Sequence, residues 1–265
     1  MESNQKSIGV AVITGASSGI GAVYADRLAR RGYDLILVAR DLAKLQAVAE
    51  RVEASTGRRA EFIGADLSTL EGMRRIGQVL ETEARITLLV NNAGVGATQP
   101  FVESDVNRLC KMIQLNVTAV THLARAVAPA FVARGRGTII NIASIVALAP
   151  ELLNGVYAAS KSYVLTLTQS LHHELASKGV QVQAVLPGAT HTDFWNVAGR
   201  PVDKLPAQIV MSAESMVGAA LVGLDQGELV TIPALPDVAD WDRFDAARKA
   251  MGPGLSRAVP AERYR

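Results

Sequence analysis

The stretch that most constrains this chain is residues 10–21, VAVITGASSGIG. Its first five residues are apolar or β-branched, which is typical of a strand buried on both faces. Three glycines then precede a helical pattern, so the backbone can turn tightly and leave the N–H groups of the first helical turn free to bind an anion. We therefore predict a phosphate-binding loop, and the alternative is a glycine-rich turn without a ligand. The predicted binding residues are Gly15, Ser17, Ser18, Gly19, Ile20 and Gly21.

The composition is that of an ordinary globular protein. The chain has 265 residues, of which 49% are hydrophobic and 20% charged, enough for one large α/β domain or two small ones. The formal net charge of +2 argues against a nucleic-acid or membrane-surface binder. A single cysteine excludes an internal disulfide, and the four histidines lack metal-ligand spacing, so we predict no metal site. The apolar run at residues 8–13 is too short for a signal peptide or a membrane span, so we expect a cytoplasmic protein.

A second apolar run, residues 35–38, leads into two residues that bear on cofactor choice. Ala39 stands where dinucleotide-binding folds place an acidic residue for the ribose 2′-hydroxyl, and Arg40 comes next. A guanidinium suits a 2′-phosphate, so we predict NADP(H) in preference to NAD(H). The alternatives are that Arg40 is a surface cation, or that Asp41 contacts the ribose.

Two further strand ends carry polar or small residues. Asp66 follows a predicted strand at residues 61–64 and could bind the adenine amino group or help to start the next helix. The pair Ser68 and Glu71 fits a capping box and so leaves Asp66 free for a ligand. The strand at residues 87–90 ends in Asn91, Asn92, Ala93 and Gly94, which permit close approach of a cofactor or form a structural turn.

Four polar residues further along are candidates for chemistry. Asn116 lies between apolar neighbours in a long predicted helix, residues 104–133, and needs a partner if it is buried. A predicted strand at residues 138–142 ends just before Ser144. Tyr157 and Lys161 stand four apart in a helix, so both side chains share one face, and the ammonium should lower the pKa of the phenol. The pair alone is weak evidence because this spacing is common by chance.

The last part of the chain completes the alternation of strand and helix. We predict a strand at residues 180–186, a mobile flap at 193–211, a helix at 214–226 and a strand at 229–232, followed by an amphipathic helix at 238–250. This pattern predicts an α/β fold over residues 1–265, a single doubly wound parallel sheet with helices on both faces.

The motifs TGASSGIG, NNAG, Ser144, YAASK and Pro187-Gly188 occur in this order. As an ordered set they resemble the short-chain dehydrogenase/reductase family over residues 8–232. The resemblance implies a Rossmann-type domain of about seven strands with a nicotinamide cofactor across the strand ends. It also implies that Ser144 binds the substrate oxygen, Tyr157 exchanges the proton and Lys161 holds the nicotinamide ribose. Asn116 would anchor, through its helix backbone, a water that relays protons.

The resemblance also assigns cofactor contacts. Asp66 and Leu67 would meet the adenine, Asn91 would lie in the central sheet behind the cofactor, and Arg40 with Ser17 would bind the 2′-phosphate. The remaining cofactor positions are Asn92, Ala93, Gly94, Pro187, Gly188, Thr190 and Thr192. One departure is the segment PALPDVADW, which replaces the glycine-rich C-terminus of many members. We therefore treat residues 233–265 as a divergent tail and expect a homodimer, formed by the helices that carry Asn116 and Tyr157, rather than a tetramer.

The predicted function is hydride transfer between NADP(H) and a carbonyl or secondary alcohol of a largely apolar small molecule. One alternative is a non-catalytic, dinucleotide-sensing binding protein, and another is an isomerase or dehydratase that keeps its cofactor. Apolar residues in segments expected near the pocket are Val95, Ile145, Val146, Leu148, Leu152, Leu153, Phe194 and Trp195.

Overall fold

The computed structural model describes residues 7–265, and within them seven strands form one parallel sheet. These strands are β1 (Val10–Thr14), β2 (Asp34–Ala39), β3 (Ala60–Gly64), β4 (Ile86–Asn91), β5 (Gly137–Ile142), β6 (Val180–Val185) and β9 (Val230–Thr231). Two short strands, β7 (Thr190–His191) and β8 (Met211–Ser212), pair with each other in parallel. The spatial order β3-β2-β1-β4-β5-β6-β9 reverses direction between β1 and β4. This is the doubly wound α/β sheet that the sequence predicts, and a crevice opens where the order reverses.

Helices cover both faces of the sheet. Six helices contribute buried residues to these faces, namely α1, α2 and α8 on one side and α3, α5 and α6 on the other. The helices of residues 7–265 are α1 (Gly19–Arg30), α2 (Leu42–Thr56), α3 (Leu70–Thr82), α4 (Val106–Ile113), α5 (Val120–Arg134), α6 (Gly155–Leu175), α7 (Phe194–Ala198), α8 (Ala213–Asp225) and α9 (Val238–Ala250). Successive residues of β1 face opposite sides, so Ala11 and Ile13 pack with α1, α2 and α8, whereas Val10 and Val12 pack with α3, α5 and α6. Both faces are therefore apolar, and the polar residues of the site lie at the strand ends.

The helix predicted at residues 104–133 spans Val106–Arg134, but it is not α-helical throughout. The segment Gln114–Ala119 between α4 and α5 forms a π-helical turn. Such turns insert one extra residue and are frequent at functional sites. Here the turn contains Asn116, whose side chain binds a distant loop.

The start of α3 also differs from the prediction. Thr69, not Ser68, is the N-cap, and its hydroxyl accepts from the Gly72 N–H at 3.1 Å. The Ser68 hydroxyl and N–H both donate instead to Asp66 Oδ1, at 2.7 and 2.9 Å. The assignment of Ser68 and Glu71 as the capping pair is therefore wrong, and one oxygen of Asp66 is engaged by Ser68.

The chain divides into a body that ends at Pro233 and a C-terminal unit, Ala234–Arg265. The C-terminal unit contains α9, with the bounds that the sequence predicts, and the rings of Trp241 and Phe244 pack 5.6 Å apart. No residue of α9 is buried. In the body, residues 193–211 form α7, two 3₁₀ turns and the start of β8, and the mobility of this flap stays a prediction.

Candidate active site

The glycine loop after β1 has the geometry of a phosphate-binding turn. Gly15 and Gly19 have φ angles of +66° and +52°, which favour glycine. Gly21 has no such backbone requirement, but a Cβ there would lie 2.2 Å from the Gly15 carbonyl oxygen. The side chain of Ser18, the N-cap of α1, caps no N–H group, so the N–H groups of the first turn remain available for an anion.

The side chain of Thr14 joins this loop to the loop after β4. Its hydroxyl donates to the Val90 carbonyl oxygen at 3.2 Å and accepts from the N–H groups of Asn92 and Ala93 at 2.9 and 3.0 Å. The Asn92 amide in turn donates to the carbonyl oxygens of Thr14 and Gly15. A Cβ on Gly15 would lie 2.8 Å from that amide. The structure thus brings the predicted NNAG and glycine motifs into direct contact.

The predicted adenosine contacts follow the carboxyl ends of β2 and β3. Arg40 follows β2 and is exposed. Asp41 is the N-cap of α2 and accepts from the Lys44 N–H at 3.0 Å, so its carboxylate is engaged within the protein. Burial would raise the pKa of Asp66, but the hydrogen bonds from Ser68 and the charges of Arg40 and Lys111 together lower it. Arg40 therefore lies near enough to Asp66 for their charges to interact.

Asn116 fastens the loop after Gly94 to the helical layer. Its Oδ1 accepts from the Val95 N–H at 3.0 Å, and its Nδ2 donates to the Val95 carbonyl oxygen at 2.9 Å and to Ser160 Oγ at 3.1 Å. A Cβ on Gly94 would lie 3.2 Å from Asn116 Oδ1 and 3.5 Å from Lys161 Nζ. The buried amide is thus fully occupied by protein partners, as a buried polar group needs to be.

Ser144, Tyr157 and Lys161 meet at the carboxyl end of β5. All three are buried, with exposed fractions of 8%, 5% and 6%. Ser144 Oγ donates to the Pro187 carbonyl oxygen at 3.4 Å and accepts from the Val146 N–H at 3.3 Å. Lys161 Nζ donates to the Ile142 carbonyl oxygen at 2.9 Å. A hydroxyl, a phenol and an ammonium therefore converge at one strand end.

Burial dominates the protonation of this group. It raises the pKa of Tyr157 to about 12, and the Ser144 hydroxyl offsets only part of the effect. It also lowers the pKa of Lys161 to about 8. The expectation that Lys161 lowers the pKa of Tyr157 is therefore wrong for the protein groups alone. The ammonium lies 5.9 Å from the centroid of the Tyr157 ring, and burial of the phenol is the largest cause of its raised pKa.

The turn after β6 closes the other side of the site. Gly188 follows Pro187, and a Cβ there would lie 3.8 Å from Ile145. Thr192 lies against the glycine loop, because a Cβ on Gly19 would approach its Cγ2 to 2.9 Å. The Thr190 carbonyl oxygen accepts from the Trp195 indole at 3.0 Å.

An apolar cluster surrounds the Tyr157 ring. It contains buried Leu109, Met112, Val146 and Ala158, with partly buried Val95, Ala97, Leu153, Val156 and Phe194. Four of the predicted pocket residues are thus found in it, whereas Leu148 and Leu152 are exposed. Trp195 is buried and fixed by its indole hydrogen bond. The environment of the phenol is accordingly apolar, as a hydrophobic substrate requires.

Asn154 is a site residue that the sequence analysis missed. As the N-cap of α6, it accepts from the N–H groups of Val156 and Tyr157 at 2.9 and 3.4 Å. Its Nδ2 donates to the Gln99 carbonyl oxygen and to Ser104 Oγ. An asparagine just before a helix is an N-cap signal, so the sequence contained the information. Asn154 positions the first turn of the helix that carries Tyr157.

The part of the chain that the structure describes contains no cluster of metal-ligating side chains. Among residues 7–265, no group of three or more His, Cys, Asp or Glu side chains could hold a metal ion.

Known proteins resemble this chain along most of its length. The family model described as short chain dehydrogenase matches residues 9–201. The very-long-chain 3-oxoacyl-CoA reductase of Anas platyrhynchos is 36% identical over 214 residues, covering 78% of this chain and 68% of the relative. The corresponding reductase A of Danio rerio is 33% identical, covering 77% of this chain and 65% of the relative. The chain thus spans about two thirds of these relatives.

Two solved structures match almost the whole chain. A short-chain dehydrogenase from Sphingobium yanoikuyae in complex with NADPH is 47% identical, with a TM-score of 0.94, and the match covers 97% of this chain and 100% of that one. The bulky-bulky ketone specific alcohol dehydrogenase from Comamonas testosteroni is 42% identical, with a TM-score of 0.90, and the match covers 98% and 99%.

Proposed function

The chain belongs to the short-chain dehydrogenase family and is an oxidoreductase that acts on carbonyl or alcohol groups with a nicotinamide cofactor; we propose that it is an NADPH-dependent reductase of bulky, largely apolar ketones. The observation that carries the proposal is the convergence of Ser144, Tyr157 and Lys161 inside an apolar cluster. The relatives named for an NADPH complex and for bulky ketones lend further support.

The protein groups suit the reducing direction. When bound, the nicotinamide supplies the hydride to the carbonyl carbon. Ser144 and Tyr157 donate hydrogen bonds to the substrate oxygen, and such preorganised donors stabilise the charge that develops there. Because burial raises the pKa of Tyr157 to about 12, the phenol is protonated near pH 7 and can give its proton to that oxygen. Lys161, buried beside Gly94, faces the place proposed for the nicotinamide ribose.

The glycine loop fits a dinucleotide because no side chain at Gly15, Gly19 or Gly21 stands over the start of α1; a Cβ at each position would lie within 3 Å of another protein atom. The free N–H groups of α1 would meet the pyrophosphate. Thr192, which borders the same loop, and the Thr190 backbone would hold the carboxamide. Asn116 would act through the π-helical turn that interrupts its helix.

We assign the 2′-phosphate of NADPH to Arg40 and Ser17. Ala39 carries no acidic group, and one oxygen of Asp41 is engaged at the start of α2. A charge-assisted hydrogen bond of about 1.5–3 kcal/mol gives roughly a ten- to hundred-fold preference for NADPH over NADH. The double variant Ala39→Asp/Arg40→Leu should reverse this preference, and equal use of both cofactors by the wild type would contradict the assignment.

We further propose a cytoplasmic homodimer. The helices α4 and α6 expose apolar side chains, namely Val106, Ile113 and Tyr163, which suit a helix–helix interface. The stretch Val106–Arg134 has the length and composition of a membrane span, but 44% of its most apolar window is buried inside the protein. Its residues Leu123, Val127 and Phe131 pack on the sheet, which supports the assignment of a core helix.

The decisive experiment measures NADPH oxidation with a panel of alkyl and aryl ketones for wild type and Tyr157→Phe. The variant removes one hydroxyl and little volume, so turnover should fall by about a hundred- to ten-thousand-fold while the Kd for NADPH stays within about two-fold. A wild type that binds NADPH but reduces no ketone would favour the sensing protein. A cofactor that remains bound through purification without net consumption would favour the isomerase.

A further inference from the structure

An aromatic ring from the segment after β7 covers the Tyr157 ring. Phe194, the first residue of α7, has its ring centroid 5.8 Å from that of Tyr157, with 46° between the ring planes. The Phe194 ring also meets the Trp195 ring edge-on, with the centroids 5.7 Å apart. Because the Trp195 indole donates to the Thr190 carbonyl oxygen, Phe194 contacts both a fixed indole and the phenol.

The Phe194 ring occupies the space that a side chain at residue 96 would need. A Cβ on Gly96 would lie 2.3 Å from Phe194 Cζ and 3.1 Å from both Cε atoms. The φ angle of Gly96 is not positive, so the close contact with the ring, and not a left-handed backbone, is what favours glycine there. The tip of the Phe194 ring therefore rests directly on the Gly96 backbone.

The same loop also holds the far end of α7. Thr98 Oγ1 donates to the Ala198 carbonyl oxygen at 2.8 Å. Contacts two residues apart, at Gly96 and Thr98, thus fix both ends of a one-turn helix. The ring position is set by the loop after β4, which Asn116 in turn fastens to the protein through Val95.

We propose that Phe194 sets the largest ketone substituent that can reach Tyr157, and that Gly96 sets the position of the Phe194 ring. The inference rests on the proposed ketone reduction. A ketone oxygen must come within hydrogen-bond distance of the Tyr157 hydroxyl, so one of the two substituents must share the space beside the phenol with this ring. Removing the ring enlarges that space, and adding a methyl group at residue 96 displaces the ring.

The test is a double-mutant cycle on the full chain: wild type, Phe194→Ala, Gly96→Ala and the double variant. For each protein, kcat/KM is measured with NADPH and either acetophenone or benzophenone, which differ only in one substituent. Phe194→Ala should raise the benzophenone-to-acetophenone ratio by about ten-fold or more. Gly96→Ala should change the ratio in the Phe194 background and leave it unchanged in the Phe194→Ala background.

Three controls separate this role from a general loss of structure. Val197→Ala, an exposed position of the same helix, should keep the wild-type ratio, and the Kd for NADPH should stay constant in all variants. Phe194→Leu, a milder change, should shift the ratio in the same direction as Phe194→Ala.

The outcomes distinguish this inference from the proposed function. An active wild type with the same substrate ratio in Phe194→Ala and Phe194→Leu overturns the inference alone. Equal effects of Gly96→Ala in both backgrounds overturn the coupling between the two residues. A wild type that reduces neither ketone, nor any other in the panel, overturns the proposed function and this inference with it.

Discussion

Lys161 should make the stability of the protein depend on pH in a way that its removal abolishes. The ammonium is buried, and burial lowers its pKa from 10.5 to about 8. Between these two values the unfolded chain binds more protons than the folded one, so the free energy of unfolding rises with pH. Below pH 8 the folded protein carries the full cost of a buried charge.

The size of the effect depends on the two pKa values. One pKa unit corresponds to about 1.4 kcal/mol, so the buried charge costs about 3 kcal/mol at pH 7. At pH 9.5 the folded protein has lost most of this charge and the unfolded chain has not. Relative to that of Lys161→Met, the free energy of unfolding of the wild type should therefore rise by about 2 kcal/mol between pH 7 and pH 9.5.

Urea unfolding of both proteins at half-unit intervals over this pH range measures the difference directly. The lost hydrogen bond to the Ile142 carbonyl oxygen shifts absolute stability, but a neutral amine also makes this bond, so the pH-dependent difference remains. Lys178→Met removes an exposed ammonium, so its free energy of unfolding should change with pH in the same way as that of the wild type. Parallel curves for Lys161→Met and wild type would refute the reasoning.

Three further predictions concern the loop, the helix start and the assembly. Gly21→Ala places a Cβ 2.2 Å from the Gly15 carbonyl oxygen. It should lower the free energy of unfolding by about 1–3 kcal/mol and abolish NADPH binding. Gly218→Ala is the control, because a Cβ there would have no other atom within 4 Å, and it should stabilise the protein by about 0.5–1 kcal/mol. Chemical unfolding compares the two variants, and equal effects on stability would contradict the steric explanation. Asn154→Ala should lower the free energy of unfolding by about 0.5–2 kcal/mol and should lower kcat without changing the Kd for NADPH. An unchanged kcat would show that this N-cap does not position Tyr157. Light scattering during size-exclusion chromatography should give the mass of a dimer, and a stable tetramer at micromolar concentration would count against the proposed interface.

The parts of the fold that could be predicted from the sequence are those with local causes. The glycine loop is recognisable because φ angles and close backbone contacts permit only glycine at 15, 19 and 21. The spacing of Tyr157 and Lys161 was recognisable because one helix carries both. Continuous apolar runs predicted the seven strands of the large sheet to within one or two residues, since that sheet is buried on both faces, whereas the short strands β7 and β8 were not predicted.

The parts that could not be predicted depend on contacts distant in sequence. The π-helical turn at Asn116 accompanies hydrogen bonds to Val95, 21 residues earlier. Ser68 and Thr69 both suit an N-cap, and the choice of Thr69 is clear only once Asp66 engages Ser68. The raised pKa of Tyr157 reflects burial by several segments at once, which helical spacing does not contain.

The hydroxyl of Thr14 has a consequence for the order in which the protein assembles during synthesis. Its bond to Ala93 joins residues 79 apart, so the loop after β1 is complete only after β4 has been made and has docked against β1. Contacts of this separation form late because a long chain must first be closed. A nascent chain that ends before β4 already has its glycines but lacks the strand that braces them. Nucleotide affinity should therefore arise in one step during translation, when the two halves of the sheet join.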